Sequence, residues 1–202
     1  VHSATFIDDH QFVVCDLGTD EVLLYTLDAH RSVQASLRKC WTLPAGSGPR
    51  HIAASRERLY AVAELSNTVF VLSNSPNGQP TIVSSASCLP DKTAGFSEAA
   101  EIQYDAQAPA LWVSNRGQDG LVRIPLSGDT LLPLRSWNGF GAHPRHFHLS
   151  DQMLVVAAKD DNLVRVIRRD AQGLPDLQSV QRLSIPSPVF ILPLRHGDRE
   201  TS

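Results

Sequence analysis

Cysteine is scarce, with Cys15, Cys40 and Cys88 the three in 202 residues. They are too widely spaced for a disulfide framework or a Cys-x-x-Cys metal site. Each stands in an apolar, strand-like run, where a free thiol packs as a small hydrophobe, so buried reduced thiols and no metal are expected. Long hydrophobic runs are missing too. No stretch approaches the roughly 20 apolar residues that span a bilayer as a helix, and the first residues lack the basic start and apolar run of a secretory leader. A soluble, cytoplasmic chain with no membrane partner is therefore expected. Nor is there an excess of one charge. Eighteen Lys and Arg stand against 21 Asp and Glu, a formal net charge of -3, which gives no basic footprint for nucleic acid. Any positive charge that matters to function must be local. Helical periodicity is the last absence, since apolar residues almost nowhere recur at i, i+3 and i+4.

What is present is a globular composition, 42% hydrophobic and 19% charged, arranged in short β-branched and aromatic runs between clusters of Gly, Pro, Asn and Asp. Four times an apolar run ends in a polar turn and is followed by another apolar run. The pairs are Phe12–Asp16 with Val22–Tyr25, Leu59–Glu64 with Val69–Leu72, Leu111–Asn115 with Leu121–Ile124, and Met153–Ala157 with Leu163–Val166. Aligning the turn residues Asp20, Asn67, Asp119 and Asp161 gives steps of 47, 52 and 42 residues, the size of a propeller blade. The chain is predicted to be an all-β, partial β-propeller with blades at about 1–45, 46–96, 97–141 and 142–186 and a closing strand at 187–195. Each blade gains a first strand lining the channel (Ser3 to Ile7, His51 to Ser55, Ala99 to Tyr104, His146 to Leu149) and an outer one. The outer strands are Leu37 to Leu43, Thr81 to Cys88, Leu131 to Trp137 and Ser179 to Ile185. A strand starts almost at Val1, without the flexible lead of many natural termini, and this predicts a portion of a longer protein.

In a propeller the chain alternates direction through each blade, so two kinds of connection open on one face. These are the loops into the first strands and the turns between second and third strands. They carry His2, Arg50, His51, Glu98, Glu101, Arg145 and His146 on the loops, and Asp16, Glu64, Asn115 and Arg116 at the strand ends. Arg pairs bidentately with carboxylate or phosphate, and His and Glu move protons. An anionic small molecule is the expected ligand. A structural reading stands beside each: Glu64 as an ion-pair partner of Arg50, the two arginines as ties between blades, and His51 and His146 as blade packing. Asp16, Asp20 and Asp119 read as turn residues that satisfy local donors.

At these residues the sequence resembles the seven-bladed β-propeller lactonases, the family of the propeller-type 6-phosphogluconolactonases and the carboxy-muconate lactonizing enzymes. The matching stretches are Asp16-Leu-Gly-Thr-Asp20, Gly46-Ser-Gly-Pro-Arg-His51, Glu64-Leu-Ser-Asn-Thr-Val69, Ala100-Glu-Ile102, Val113-Ser-Asn-Arg-Gly117, Pro144-Arg-His-Phe147 and Pro186-Ser-Pro-Val189, in register over nearly the whole chain. The resemblance implies a catalytic set of His2, Arg50, Glu64 and Arg116. The other mouth residues His51, Glu101, Arg145 and His146 are expected to bind the substrate, and no metal or other cofactor is expected. It implies hydrolysis of a sugar-acid lactone such as 6-phosphogluconolactone, with an anionic lactone or carboxylate as partner. A muconate-type cyclase and a non-catalytic binding propeller are the alternatives. The family closes with seven blades, so missing N-terminal blades or a second chain are expected to complete the ring.

Overall fold

The computed structural model describes residues 1–28, 34–75, 78–90 and 95–194. Four antiparallel sheets follow one another along the chain. The first holds β1 (Ser3–Phe6), β2 (Gln11–Asp16), β3 (Glu21–Asp28) and β4 (Gln34–Thr42), and the second β5 (Pro49–Ala54), β6 (Arg58–Ala63), β7 (Thr68–Ser73) and β8 (Ile82–Ser87). The third holds β9 (Glu98–Asp105), β10 (Ala110–Arg116), β11 (Gly120–Ser127), β12 (Thr130–Leu131) and β13 (Arg135–Asn138). The fourth holds β14 (Pro144–Leu149), β15 (Met153–Ala158), β16 (Leu163–Arg168) and β17 (Gln181–Ser184). The third outer strand, expected as one piece, is broken. Both β12 and β13 pair with β11, and between them Pro133 offers no N–H to a ladder. Among the described residues no helix is long and apolar enough to cross a membrane.

The second strands explain the stacking. Along β6, Leu59, Ala61 and Ala63 pack with Val13, Leu24 and Trp41 of the first sheet. The alternate residues Tyr60 and Val62 pack with Ile102 and Val113 of the third. Strand β10 does the same, sending Leu111 one way and Trp112 the other, onto Phe147 and Val156. The second and third sheets are covered on both faces, which is why β6 and β10 read as continuous apolar runs rather than as alternating ones. Burial of one such side chain contributes about 1.5–3 kcal/mol. The first strands β1, β5, β9 and β14 lie side by side in that order, and these sheets are four blades of a β-propeller.

A repeated latch joins each blade to the next. Asp20, Asn67, Asp119 and Asn162 close the turns between second and third strands in the left-handed region, at φ 58, 50, 56 and 55, a conformation that Asn and Asp tolerate. Their side chains then reach the loop that follows the blade. Asp20 accepts from Gly46 and Gly48 N–H at 2.7 Å each, Asn67 donates to the Ser97 carbonyl, Asp119 accepts from His143 N–H, and Asn162 from Ser187 N–H at 2.9 Å. The fourth turn residue is thus Asn162 rather than Asp161, which instead accepts from Ala142 N–H and pairs with Arg165. Two further expectations are corrected. Cys40, on the outer strand β4, is partly exposed whereas Cys15 and Cys88 are buried. The segment expected as a closing strand forms no strand over 187–194, and residue 195 lies outside the described residues. A first strand pairs with the second strand of its own blade, as β1 does with β2. No such partner stands beside 187–194 among the described residues, and Pro188 and Pro193 each withhold a ladder donor.

Candidate active site at the channel mouth

A bulge at the start of the first strand shapes the site. In β5 the register slips between Pro49 and His51, in β14 between Pro144 and His146, and in β9 opposite Ser114. A bulge leaves one residue unpaired and re-aims its side chain. The unpaired residues are Arg50 and Arg145, and Glu101 falls in the corresponding stretch of β9, its N–H bonded to the Ser114 hydroxyl at 3.1 Å. The three side chains so turned, with His2 from the first blade, line one cavity of about 580 Å³ that His51, His146, Val189 and Phe190 help to close.

Behind that wall lies a chain of charges. Glu64 stands between two arginines, its Oε2 2.7 Å from Arg50 Nε and its Oε1 3.0 Å from Arg116 Nη2. The Arg50 Nε–H is not aimed at the carboxylate, so that contact is an ion pair and not a hydrogen bond. Arg116 Nη2 also pairs with Glu98 at 3.1 Å. Both guanidiniums are buried, with side-chain exposures of 2% for Arg50 and 5% for Arg116. Burial opposes ionisation of Glu64, but Arg116 and Arg50 outweigh it and hold its carboxyl below the ordinary range. Burial, then Arg116, brings Arg50 down to about 10, which leaves it charged at neutral pH.

The second network faces the cavity. Arg50 Nη1 donates to the Ala100 carbonyl at 2.8 Å and lies 3.0 Å from His51 Nε2. A guanidinium only donates, so His51 Nε2 holds a lone pair and Nδ1 carries the hydrogen, which goes to Glu101 Oε2. On the other side the Ile191 N–H donates to His146 Nδ1 at 3.3 Å. His146 therefore carries its hydrogen on Nε2, 3.3 Å from the same Glu101 oxygen. The His51 and Glu101 contact has the geometry of a salt bridge, yet the imidazole is neutral: burial, then Arg50 and Arg145, push His51 down to about 3. Burial also lowers His146 against the pull of Glu101, and it lowers His2 to about 4 with help from Arg50. The Glu101 carboxyl goes the other way, raised by burial to about 7.

The structure thus gathers the expected residues on one face in two tiers. His2, Arg50, His51, Glu101, Arg145 and His146 line the cavity, whereas Glu64 and Arg116 sit behind Arg50 and do not line it. Sequence reasoning missed Phe190, whose ring lies 4.1 Å from that of His146, and the Ile191 N–H. The Pro186-Ser-Pro-Val189 stretch was the signal, since it repeats the loop before Arg50 and Arg145. A larger recess of about 780 Å³ lies at the opposite ends of the strands, between the first two blades. Its Arg38, Arg56 and Glu57 are exposed, and Arg58 is tied to Asp129 in a two-pronged pair, so it lacks the buried polar wall of the mouth. Among the described residues no group of His, Cys, Asp or Glu is arranged to hold a metal ion.

Known proteins resemble this chain throughout its length. A protein of Lactococcus lactis is 31% identical over 96% of this chain and 58% of its own length. A 6-phosphogluconolactonase of Yersinia pestis is 28% identical over 91% of this chain and 57% of its own. The structure of a periplasmic gluconolactonase of Pseudomonas aeruginosa superposes with a TM-score of 0.80 at 28% identity, covering 94% of this chain and 55% of that one. The chain accordingly spans a little more than half the length of these relatives. The family model for lactonases of the seven-bladed β-propeller type matches residues 1–193, and the chain belongs to that family.

Proposed function

We propose that this chain carries the catalytic face of a lactonase that hydrolyses a sugar-acid lactone, with 6-phosphogluconolactone as the favoured substrate. One observation carries the reading: a cavity of about 580 Å³ whose wall sets two guanidiniums, Arg50 and Arg145, against uncharged imidazoles and a buried carboxylate. Opening a lactone needs a fixed positive charge where the carbonyl oxygen becomes an oxyanion, and a group that accepts a proton from water. Arg50 suits the first task, because Glu64 holds it from behind and Arg116 holds Glu64. In this reading Glu64 and Arg116 are positioning residues, although the sequence resemblance gives them catalytic roles. Arg145, half-buried at the second bulge, suits a phosphate or carboxylate on the substrate. The hydrolases among the relatives support the reaction class, and blades outside this chain, or a second chain, complete the channel. The test is lactone hydrolysis by the purified protein, followed by acid release, on glucono-δ-lactone and 6-phosphoglucono-δ-lactone. Turnover of both, with Arg145→Gln raising KM on the phosphorylated lactone alone, supports the reading. No hydrolysis above the spontaneous rate contradicts it, and turnover of a muconate in its place transfers the same cavity to lactonization.

A further inference from the structure

We propose that Glu101 is the general base of this cavity, the group that takes a proton from the attacking water, with His51 and His146 holding its carboxylate in place. The proposal rests on the lactonase reading. Three glutamates reach the mouth, and their partners separate them. Glu64 lies between two guanidiniums that hold its carboxyl below the ordinary range, which makes it a poor proton acceptor, and Glu98 pairs with one of them and does not line the cavity. Glu101 lines the cavity and meets two neutral imidazoles, His51 by a hydrogen bond and His146 at 3.3 Å, both at Oε2, which leaves Oε1 outside those two contacts. The imidazoles cannot take its place. The lone pair of His51 faces Arg50 and that of His146 receives the Ile191 N–H, so His51 donates to Glu101, His146 keeps its Nε2–H within 3.3 Å of it, and neither has a free lone pair to take a proton from water.

The groups around Glu101 agree with this role. His51 and Arg50 face it from β5, His146 and Arg145 stand across the cavity on β14, and Gln103 follows on its own strand. From β10, Ser114 bonds its backbone N–H. Arg50 and His146 favour the charged form, yet burial outweighs them and the carboxyl titrates near about 7. A base of that strength is about half ionised at neutral pH and draws a proton far better than an ordinary carboxylate. His2, the remaining imidazole on the wall, is pushed down to about 4 and is a weaker acceptor.

The reaction balances with water alone. The water oxygen bonds to the lactone carbonyl carbon while one of its protons passes to Glu101, and the carbonyl π pair moves onto oxygen beside Arg50. On collapse the carbonyl re-forms, the bond from carbon to the ring oxygen breaks, and that oxygen takes the proton back from Glu101. The product is the hydroxy acid, and Glu101 is regenerated.

The experiment is the pH profile of kcat/KM on glucono-δ-lactone for the wild-type protein, Glu101→Gln and Glu101→Asp, with near-UV circular dichroism to report folding. General base catalysis contributes about 10²–10⁴-fold. Glu101→Gln is therefore expected to lose 100-fold or more and to lose the acid limb near pH 7, while Glu101→Asp keeps a limb at a reduced rate. A residue that only supported the wall would leave the limb in place. If Glu101→Gln does not fold, the wild-type profile decides: a limb near 7 identifies Glu101, and a limb below 4.5 points to Glu64 or His2 and overturns the proposal. A folded Glu101→Gln that retains the limb also overturns it and leaves the lactonase reading standing. A wild-type protein that opens no lactone ends both.

Discussion

Replacing Glu64 with Gln keeps the shape of the side chain and removes the charge between two buried arginines. Arg50 Nε lies 2.7 Å and Arg116 Nη2 3.0 Å from the carboxylate, with arginine side-chain exposures of 2% and 5%. Removing one partner of a buried pair costs about 3–5 kcal/mol, because the other charge is left uncompensated. Two features favour the low end of that range: the Glu64 side chain is itself 14% exposed, and Arg116 keeps Glu98 at 3.1 Å. Arg50 fares worse, since its remaining contacts are a carbonyl and an imidazole nitrogen. A loss of about 3 kcal/mol is expected, and at about 2–4 °C per kcal/mol for a domain of this size the melting temperature falls by about 6–12 °C. Calorimetry at pH 7 on the wild type, Glu64→Gln, Arg50→Met and the double variant measures it. The double variant should be more stable than the sum of the singles implies, because the second change removes the orphaned charge. A Glu64→Gln melting point within about 2 °C of the wild type would refute the reasoning.

Other perturbations test other links. Trp112, fully buried between the third and fourth blades, should cost about 3–5 kcal/mol on replacement by Ala, read from the urea midpoint. Gly48 has φ +65, and a Cβ there would lie 2.6 Å from Leu65 Cγ. Gly48→Ala should therefore lower both the melting point and kcat/KM through the adjoining Arg50 loop, and wild-type values for both would show that this loop does not position Arg50. Stability should also fall on acidification. His51 titrates near 3 when folded and near 6.5 when unfolded, so its contribution is full above pH 6.5 and is lost as the pH drops towards 3. Glu101, raised from 4.5 to about 7, acts in the opposite sense, its contribution being lost as the pH rises from 4.5 through 7. Glu101→Gln should accordingly steepen the acid loss in melting temperatures taken from pH 4.5 to 8, and a shallower slope would contradict that sign.

The blades were legible in the sequence because their second and third strands are apolar runs, continuous where both faces are buried, and the left-handed turns demand Asp or Asn. Asp20, Asn67 and Asp119 were found this way. At the fourth turn Asp161 and Asn162 are both turn formers, and only the backbone distinguishes them. The mouth was legible as well, since topology alone puts Arg50, Glu101 and Arg145 on one face. The division of labour among the carboxylates was not. Glu64 and Glu101 are the same residue type on the same rim, and what separates them is whether guanidinium or imidazole lies within about 3 Å. That depends on where each bulge falls, in strands some 50 residues apart, and on the Ile191 N–H, a backbone group that no side-chain pattern reveals.

The most direct test of the channel mouth as a lactone-opening site is the rate of 6-phosphoglucono-δ-lactone hydrolysis by the purified protein and by Arg50→Met at pH 7. Losing one oxyanion donor typically lowers kcat by about 10²–10³-fold. The expected result is turnover well above the spontaneous rate for the wild type, reduced by that factor in a variant that still folds. A folded Arg50→Met with wild-type turnover would contradict the placement of the reaction at this mouth.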